Sequence, residues 1–261
     1  VEEIEQATIE TFTSETEPPI ALAALAAGSA QAVGRISQHL GEGEISEQCD
    51  AASTQWCEHV QDAWREDVGL FADSGGVSGQ FSAWTNALVM FGALATGEQA
   101  AKIPMALRNQ SVSPIKSQYQ AWYLCEGLWR IGAEQFALDC GVAHWGRIQD
   151  RPGETWAEKE VKTDSMYEPG PDHVASAHVL GIKPLEPGYA VTEIRPPRRI
   201  ATHASGSIPT PRGVLTCAWQ RRVDEFEIET EIPDGLCVRL VLNRGNRRQP
   251  TVVVNGATVW R

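Results

Sequence analysis

The stretch "EFEIETEI", residues 225–232, alternates apolar or threonine side chains with glutamates. Successive side chains of a β-strand point to opposite faces, so Phe226, Ile228, Thr230 and Ile232 share one face and the glutamates share the other. This period of two predicts a half-buried antiparallel strand with one solvated face.

Similar segments lie on both sides of this strand and are separated by turn sequences such as PDG and NRG. Short strands at this spacing, bounded by turn residues, are typical of a β-sandwich. The predicted strands cover residues 188–194, 213–219, 235–242 and 250–256.

Before residue 185 the apolar period is helical. In residues 80–97 the apolar side chains step by three and four, which predicts one helix that ends at Gly97. Six to seven helices joined by short connections predict a helix-hairpin array. The sequence PLEPG at 184–188 then separates two domains, 1–184 and 185–261. The further predicted helices cover residues 20–40, 45–64, 117–132, 134–148 and 171–181.

The chain has 261 residues and a net charge of −12. Nucleic-acid binding depends on Lys and Arg meeting phosphates, so this charge argues against a nucleic-acid partner. The short basic clusters at 196–199 and 243–248 are interpreted as solvated loops. The chain has no run of 18 apolar residues, and an acidic surface disfavours anionic membranes, so we expect no membrane partner.

Six cysteines show neither a CxxC pair nor a Cys/His metal spacing, so no metal or other cofactor is predicted. Most of them lie in apolar stretches such as WYLCEGLW and are interpreted as buried free thiols. Free thiols indicate a reducing compartment, which favours a cytoplasmic over a secreted location.

The segment "PGETWAEKE", residues 152–160, holds three glutamates around one tryptophan. Glycoside hydrolysis needs two carboxylates, and tryptophan faces stack on sugar rings. Glu154 and Glu158 are the candidates here, although a carboxylate in such a segment is more often a solvated loop charge. Trp156 either packs beneath the loop or lines a site. Periodicity alone does not rank these alternatives.

Two regions resemble a known family. Residues 206–219 carry the pattern G-x-[IV]-x-T-P-x-G-x-[IL]-x-x-x-W. Together with the strands around it, this pattern resembles the C-terminal β-sandwich of bacterial α-L-rhamnosidases, glycoside hydrolase family 78. Residues 81–92, 119–132 and 145–158 resemble the last helices of that family's (α/α)6 barrel. The resemblance implies a partial (α/α)6, six-hairpin-like barrel followed by an antiparallel β-sandwich.

The resemblance also implies a site. Trp145, Gly146, Thr155, Trp156 and Glu158 fall where the family has a Trp-Gly helix followed by a Thr, an aromatic residue and a Glu. That glutamate is the general base of an inverting mechanism, so the resemblance assigns this role to Glu158 and leaves Glu154 as a neighbour.

By the same resemblance, apolar walls for the methyl face of the deoxysugar are expected from Trp156, Tyr167 and Trp84. The segment after the base departs from the family, because Ser165 stands in place of His, Tyr167 in place of Trp and Glu168 in place of Ser. Either specificity has moved or activity is reduced.

The resemblance covers roughly residues 45–255 and lacks the first half of the barrel, which supplies the general acid in the family. The implied partners are therefore a rhamnose-containing glycan and the missing N-terminal half or a second chain. The chain alone is expected to be inactive. The alternatives are a non-catalytic carbohydrate-binding or scaffolding relative, and a related (α/α)6 glycosidase that acts on another sugar.

Overall fold

The computed structural model describes residues 19–75, 79–109, 112–145, 171–198, 200–223, 225–242 and 251–260. The chain divides into two compact units, Val1–Pro171 and Asp172–Arg261. The domain boundary that the sequence predicts after residue 184 stays a prediction.

The described part of the first unit is helical. Its helix pairs α1–α2, α3–α5 and α5–α6 pack against each other, and β1 and β2 form a short antiparallel hairpin. The helices predicted from the sequence near residues 20, 45, 117 and 134 are confirmed. The elements are α1 Ile20–Leu40, α2 Gly43–Asp62, β1 Trp64–Arg65, β2 Leu70–Phe71, α3 Ala83–Phe91, α4 Gly97–Asn109, α5 Gln118–Arg130 and α6 Glu134–Trp145.

The single helix predicted over residues 80–97 is wrong in extent, because α3 ends at Phe91. The amide of Gly92 donates to the Leu88 carbonyl at 2.8 Å, and Ala93 takes a left-handed conformation with φ of 54°. This turn closes the helix before residue 97, where α4 begins. Helix α4 was not predicted, and it contains Pro104, whose ring removes a backbone donor.

The core of the first unit joins the hairpin to the helices. The buried side chain of Asn86 accepts from the Phe71 amide and donates to the Phe71 carbonyl, both at 3.0 Å, which fixes β2 against α3. A Cβ on Gly127 would lie 2.8 Å from the Met90 Cβ. The absence of a side chain at residue 127 therefore lets α5 lie close to α3.

Helix α1 is long and apolar enough, by length and composition alone, to cross a membrane. The absence of an uninterrupted run of 18 apolar residues did not predict this. Length and composition do not separate such a span from a core helix of a soluble protein. In this unit the α1 residues Ile20, Ala23, Ala24 and Ala27 are buried in the core.

The second unit begins with short helical turns and continues as β-strands. The elements are α7 Pro171–Val174, a π-helical turn Ala175–Leu180, β3 Ile182–Pro184, a 3₁₀ turn Pro187–Tyr189, β4 Val191–Ile194, β5 His203–Thr210, β6 Gly213–Arg221, β7 Phe226–Glu231, β8 Cys237–Leu240, β9 Val252–Val254 and β10 Ala257–Trp260. The sheets have the strand orders β3-β4-β8, β5-β6-β7 and β10-β9.

Strand β7 shows the alternation that its sequence predicts. Phe226, Ile228 and Thr230 are half-buried, and the three glutamates between and after them are exposed. The strand pairs antiparallel with β6, where Ile228 lies opposite the buried Trp219. The predicted half-buried antiparallel strand is confirmed, although Ile232 lies beyond its end and is exposed.

Both three-stranded sheets contribute to one core. Ile182 and Ile194 come from the first sheet, and Leu215 and Trp219 from the second. The Trp219 indole donates to the Leu180 carbonyl at 3.2 Å, so the core also includes the π-helical turn. Strands β4 and β8 pair in parallel. The predicted antiparallel sandwich did not include this pair, because the two strands are far apart in the sequence, with β5, β6 and β7 between them. The complete sandwich stays a prediction.

Gly181 should be essential for the stability of the second unit. Its φ is 89°, and a Cβ would lie 2.4 Å from the Arg195 carbonyl oxygen. We therefore expect Gly181→Ala to lower the free energy of unfolding by about 2–4 kcal/mol. The measurement is urea-dependent hydrogen exchange at the β6 amides.

Gly188 provides the matched control. Its φ is 67°, but a Cβ there would meet nothing within 4 Å, so Gly188→Ala carries only the backbone cost of about 1 kcal/mol. Equal losses in the two variants would contradict the steric argument.

Candidate functional site

Three of the four predicted site residues, Trp156, Glu158 and Tyr167, lie outside the described residues. The role of Glu158 as a general base therefore stays a prediction. The fourth, Trp84, lies in the described part of the chain and is half-buried in the first turn of α3.

The start of α3 is held by a polar network. The Ser82 side chain caps the helix by accepting from the Thr85 amide at 3.1 Å. The Ser82 hydroxyl also donates to Asp73 at 2.6 Å, and the Thr85 hydroxyl donates to the same carboxylate oxygen. This network fixes the helix turn from which Trp84 projects.

An aromatic cluster forms around Trp84, with rings from α3 and α5. The Trp84 ring lies perpendicular to Tyr123 at a centroid distance of 5.5 Å and lies 6.0 Å from Tyr119. Tyr119 and Tyr123 are one helical turn apart, with ring centroids 4.9 Å from each other. Phe91 and Trp122 complete the set through contacts with Tyr123 at 4.8 and 4.9 Å. We call these five residues the Trp84 cluster.

The Tyr119 and Tyr123 hydroxyls form a hydrogen-bonded pair at 3.1 Å. Burial, followed by the neighbouring Tyr119 hydroxyl, raises the pKa of Tyr123 to about 12. The Tyr123 phenol is therefore protonated at neutral pH and is suited to hydrogen bonding rather than to proton abstraction. Tyr119 is 39% exposed, so the edge of the cluster faces solvent.

The end of α3 nearest to Phe91 is fixed by Arg130. Its guanidinium lies 4.3 Å from the centroid of the Phe91 ring and donates to the Phe91 carbonyl. A cation at a helix C-terminus interacts favourably with the helix dipole, and the guanidinium also stacks on the ring. Both contacts restrict the aromatic side chain on which Tyr123 packs.

Three cysteines of the described part of the chain, Cys125, Cys140 and Cys217, have raised pKa values and therefore do not supply a reactive thiolate. Burial raises the pKa of Cys140 and of Cys217 to about 11, and it raises the pKa of Cys125 further. These thiols are protonated at neutral pH, and the thiol is a poor nucleophile compared with the thiolate. The six cysteines are free; Cys125 and Cys217 are buried as predicted, whereas Cys237 is exposed.

Two carboxylates that the sequence analysis did not single out are buried, Glu126 on α5 and Glu193 on β4. Glu193 accepts from the Arg195 Nε at 2.9 Å and lies 3.3 Å from the Arg239 guanidinium. Both Glu193 oxygens are bound by guanidinium groups, so this carboxylate links Arg195 and Arg239 in a structural ion-pair network.

His173 lies at the start of the second unit. It lies exposed in α7, with its ring 6.3 Å from that of the buried His178. The His178 Nδ1 lies 3.0 Å from the Lys183 Nζ. These residues form a polar corner of the second unit.

Sequence reasoning singled out neither Tyr119 nor Tyr123, which lie in the helix predicted over residues 117–132. The available signal was their spacing of four, which places two side chains one above the other on a helix. The sequence could not predict that these two phenols contact Trp84, which lies on another helix. The contact depends on the close approach of α5 to α3 at Gly127.

Residues 181–257 match the family model described as the bacterial alpha-L-rhamnosidase C-terminal domain. Three solved structures share the fold of most of the chain. A GH78 family rhamnosidase of Bacillus sp. GL1 has a TM-score of 0.68 at 20% identity over 84% of this chain. The α-L-rhamnosidase of Dictyoglumus thermophilum has a TM-score of 0.66 at 14% identity over 87%. The Streptomyces avermitilis α-L-rhamnosidase complexed with L-rhamnose has a TM-score of 0.64 at 18% identity over 90%.

The chain spans about a quarter of the length of these three structures, with coverage of 25%, 27% and 25% of theirs. No curated protein matches the chain. The resemblance to bacterial α-L-rhamnosidases that the sequence suggested is confirmed by the family model and the shared fold.

The raised pKa of Tyr123 gives a spectroscopic prediction. Alkaline titration followed at 295 nm should show a phenol ionisation near pH 12 that is missing in Tyr123→Phe. Because the folded pKa lies above the ordinary value of 10.0, stability linked to this group is complete below pH 10 and is lost as the pH rises towards 12. Tyr119→Phe should keep the ionisation but move it to lower pH. An unchanged titration in Tyr123→Phe would contradict the assignment.

Proposed function

We propose that this chain, whose residues 181–257 match the C-terminal domain of bacterial α-L-rhamnosidases, is the C-terminal portion of a glycoside hydrolase that removes terminal α-L-rhamnosyl groups. The match over residues 181–257 carries this proposal. The shared fold over 84–90% of the chain supports it, because the helical unit that precedes the matched domain is included.

The proposed architecture follows from the same family. Residues 1–184 form the second half of an (α/α)6 barrel, and residues 185–261 form the C-terminal β-sandwich. The pairwise packing of the helices and the core shared by the two three-stranded sheets support this arrangement.

In the proposed mechanism Glu158 accepts a proton from a water molecule, whose oxygen attacks the anomeric carbon. The bond from that carbon to the leaving oxygen breaks, and a carboxylic acid from elsewhere in the complete protein donates a proton to the leaving oxygen. The configuration at the anomeric carbon is inverted. Such a pair of carboxyl groups stands roughly 6.5–9.5 Å apart, which leaves room for the water.

The Trp84 cluster suits a wall for a deoxysugar. Aromatic faces bind the apolar face and the methyl group of such a ring, and a protonated phenol hydrogen-bonds to its hydroxyls. Trp84 is half-buried beside Tyr119, whose ring is 39% exposed. We propose that Trp84, Trp156 and Tyr167 supply the apolar walls, with Tyr123 as a further polar contact.

A second function is favoured by the altered pocket segment. Ser165, Tyr167 and Glu168 replace the family's His, Trp and Ser, which removes a hydrogen-bonding partner for the sugar. A non-catalytic carbohydrate-binding or scaffolding protein would tolerate these changes, and an (α/α)6 glycosidase for another sugar would use them. Binding of L-rhamnose without hydrolysis by the complete protein would favour the first; hydrolysis of a different aryl glycoside would favour the second.

The base is tested by Glu158→Gln in the complete enzyme. An amide cannot accept the proton of the attacking water, so we expect kcat on an aryl α-L-rhamnoside to fall by about 10²–10⁴-fold. The measurement is steady-state hydrolysis with release of the aryl alcohol.

Glu154→Gln is the matched control, because it removes the same charge four residues away in the same segment. It should change kcat by less than a few-fold. If Glu158→Gln keeps activity within a few-fold of the wild type, or if both variants lose activity equally, the base assignment is wrong.

The wall is tested by substituting Trp84 in the complete enzyme. Trp84→Ala should raise KM about tenfold with a smaller effect on kcat, because it removes an apolar contact that substrate and transition state share. Trp84→Tyr keeps an aromatic face and should restore most of the affinity. A KM that Trp84→Ala leaves unchanged, in a variant with an unaltered circular dichroism spectrum, would exclude Trp84 from the wall.

A further inference from the structure

Helix α1 exposes a line of large apolar side chains that is interrupted once, at the exposed Ser29. Their positions step by three, eight, three and four residues, which are all close to multiples of a helical turn, so they share one side of the helix. We call this set the α1 stripe. Its members, with their exposed fractions, are Leu22 at 39%, Leu25 at 37%, Val33 at 46%, Ile36 at 60% and Leu40 at 69%.

The other side of α1 is already occupied. Ile20, Ala23, Ala24 and Ala27 are buried in the core of the first unit, and α1 packs against α2 and α3. A Cβ on Gly34 would lie 3.2 Å from the Cys49 Cβ, so α1 and α2 lie close together. A helix that is apolar on its exposed side as well as its buried side is typical of the interior of a larger protein.

Helix α1 also lacks acidic residues although it has an exposed side, whereas α3, which likewise has none, is mostly buried. The chain carries 34 acidic residues, yet α1 contains none, and its ionisable side chains are Arg35 and His39. Helix α2, which follows directly, has Glu44, Glu47 and Asp50 within its first eight residues. In a chain that otherwise places carboxylates on its surface, a helix without them indicates a surface that is covered by another protein part.

The position of α1 in the chain identifies what covers it. The matched family model is that of a C-terminal domain and lies at residues 181–257. The matched parts of the three related structures make up only 25–27% of their chains, so those chains are more than three times as long as this one. Because the matched model describes a C-terminal domain, we infer that their additional length lies mainly before the region that this chain matches. Helix α1 is the first described element, so its exposed side is the place where a preceding part of such a protein would continue the helical packing.

We propose that the α1 stripe is the surface through which this chain binds the helical part that precedes it in a complete rhamnosidase, on the same polypeptide or on a second one. The inference rests on the proposed rhamnosidase architecture and adds the surface that completes it. A membrane is a poorer occupant, because α1 is packed through its small residues against α2 and presents only Arg35 and His39 to anionic headgroups.

The test uses the natural gene product, tagged at its own C-terminus in the organism that encodes it, so that every part of the polypeptide is retained. A photo-crosslinking amino acid replaces Ile36 in one variant. In the control it replaces Met105, which is 66% exposed on α4 in the same unit but does not belong to the stripe. We expect position 36 to crosslink to a peptide from outside these 261 residues. The sequence of that peptide should resemble the helical region before the matched part of the rhamnosidases. Position 105 should give no such crosslink.

Every other result would overturn the proposal. Crosslinks to peptides within residues 1–261 would indicate a second copy or the chain itself, crosslinks to lipid would indicate a membrane, and equal low yields at positions 36 and 105 would indicate a solvated helix. The readout does not depend on hydrolysis, so it separates failure of the interface from failure of the enzymatic assignment.

A charge-introducing variant gives an independent check. Ile36→Glu combined with Leu40→Glu alters only residues that are 60% and 69% exposed, so the unit should keep its circular dichroism spectrum. The variant should lose the co-purifying chain, or, where the parts are fused, should be cut by protease near α1 several-fold faster than wild type. Met105→Glu should behave as wild type; an unchanged Ile36→Glu/Leu40→Glu protein would contradict the proposal.

Discussion

The second unit depends on the close approach of two backbone segments at Gly181. The amide of Arg195 donates to the Gly181 carbonyl at 2.8 Å, and the space a Cβ would need is taken by the Arg195 carbonyl. This contact brings the end of the π-helical turn onto the sheet that contains β3 and β4. The Leu180 carbonyl can then accept from the Trp219 indole of the other three-stranded sheet. One glycine thus allows two sheets to share one core.

A comparable constraint positions the candidate site in the first unit. Gly127 lets α5 approach α3, and the aromatic side chains of both helices then meet in the Trp84 cluster. The cluster is held at one end by the Asp73–Ser82–Thr85 network and at the other by Arg130 on Phe91. Its rings are fixed by groups other than a ligand, so the proposed sugar wall exists before any sugar binds, which limits the entropy lost on binding.

The sequence predicted those features that depend on local pattern. The alternation in residues 226–231 and the helices near residues 20 and 117 follow from the periodicity of apolar side chains, which can be counted in the sequence. The end of α3 at Phe91 and the parallel β4–β8 pair were missed, because a left-handed Ala93 and a long-range strand pairing have no periodic signature. The same holds for Tyr123, whose partners come from another helix. The assignment of Glu158 came from a family resemblance and stays a prediction.

The chemistry and the exposed surface of α1 lead to the same conclusion. The proposed inverting hydrolysis needs a base and an acid on opposite faces of the sugar, and a protein that holds only one of them would not turn over. The acid would come from the helical part that precedes this region in longer relatives. The α1 stripe is apolar, free of acidic residues and located on the first described helix, so it offers a surface for that part. Packing there would both bury the exposed leucines and bring the acid towards the base, so that stability and catalysis would depend on a single interface.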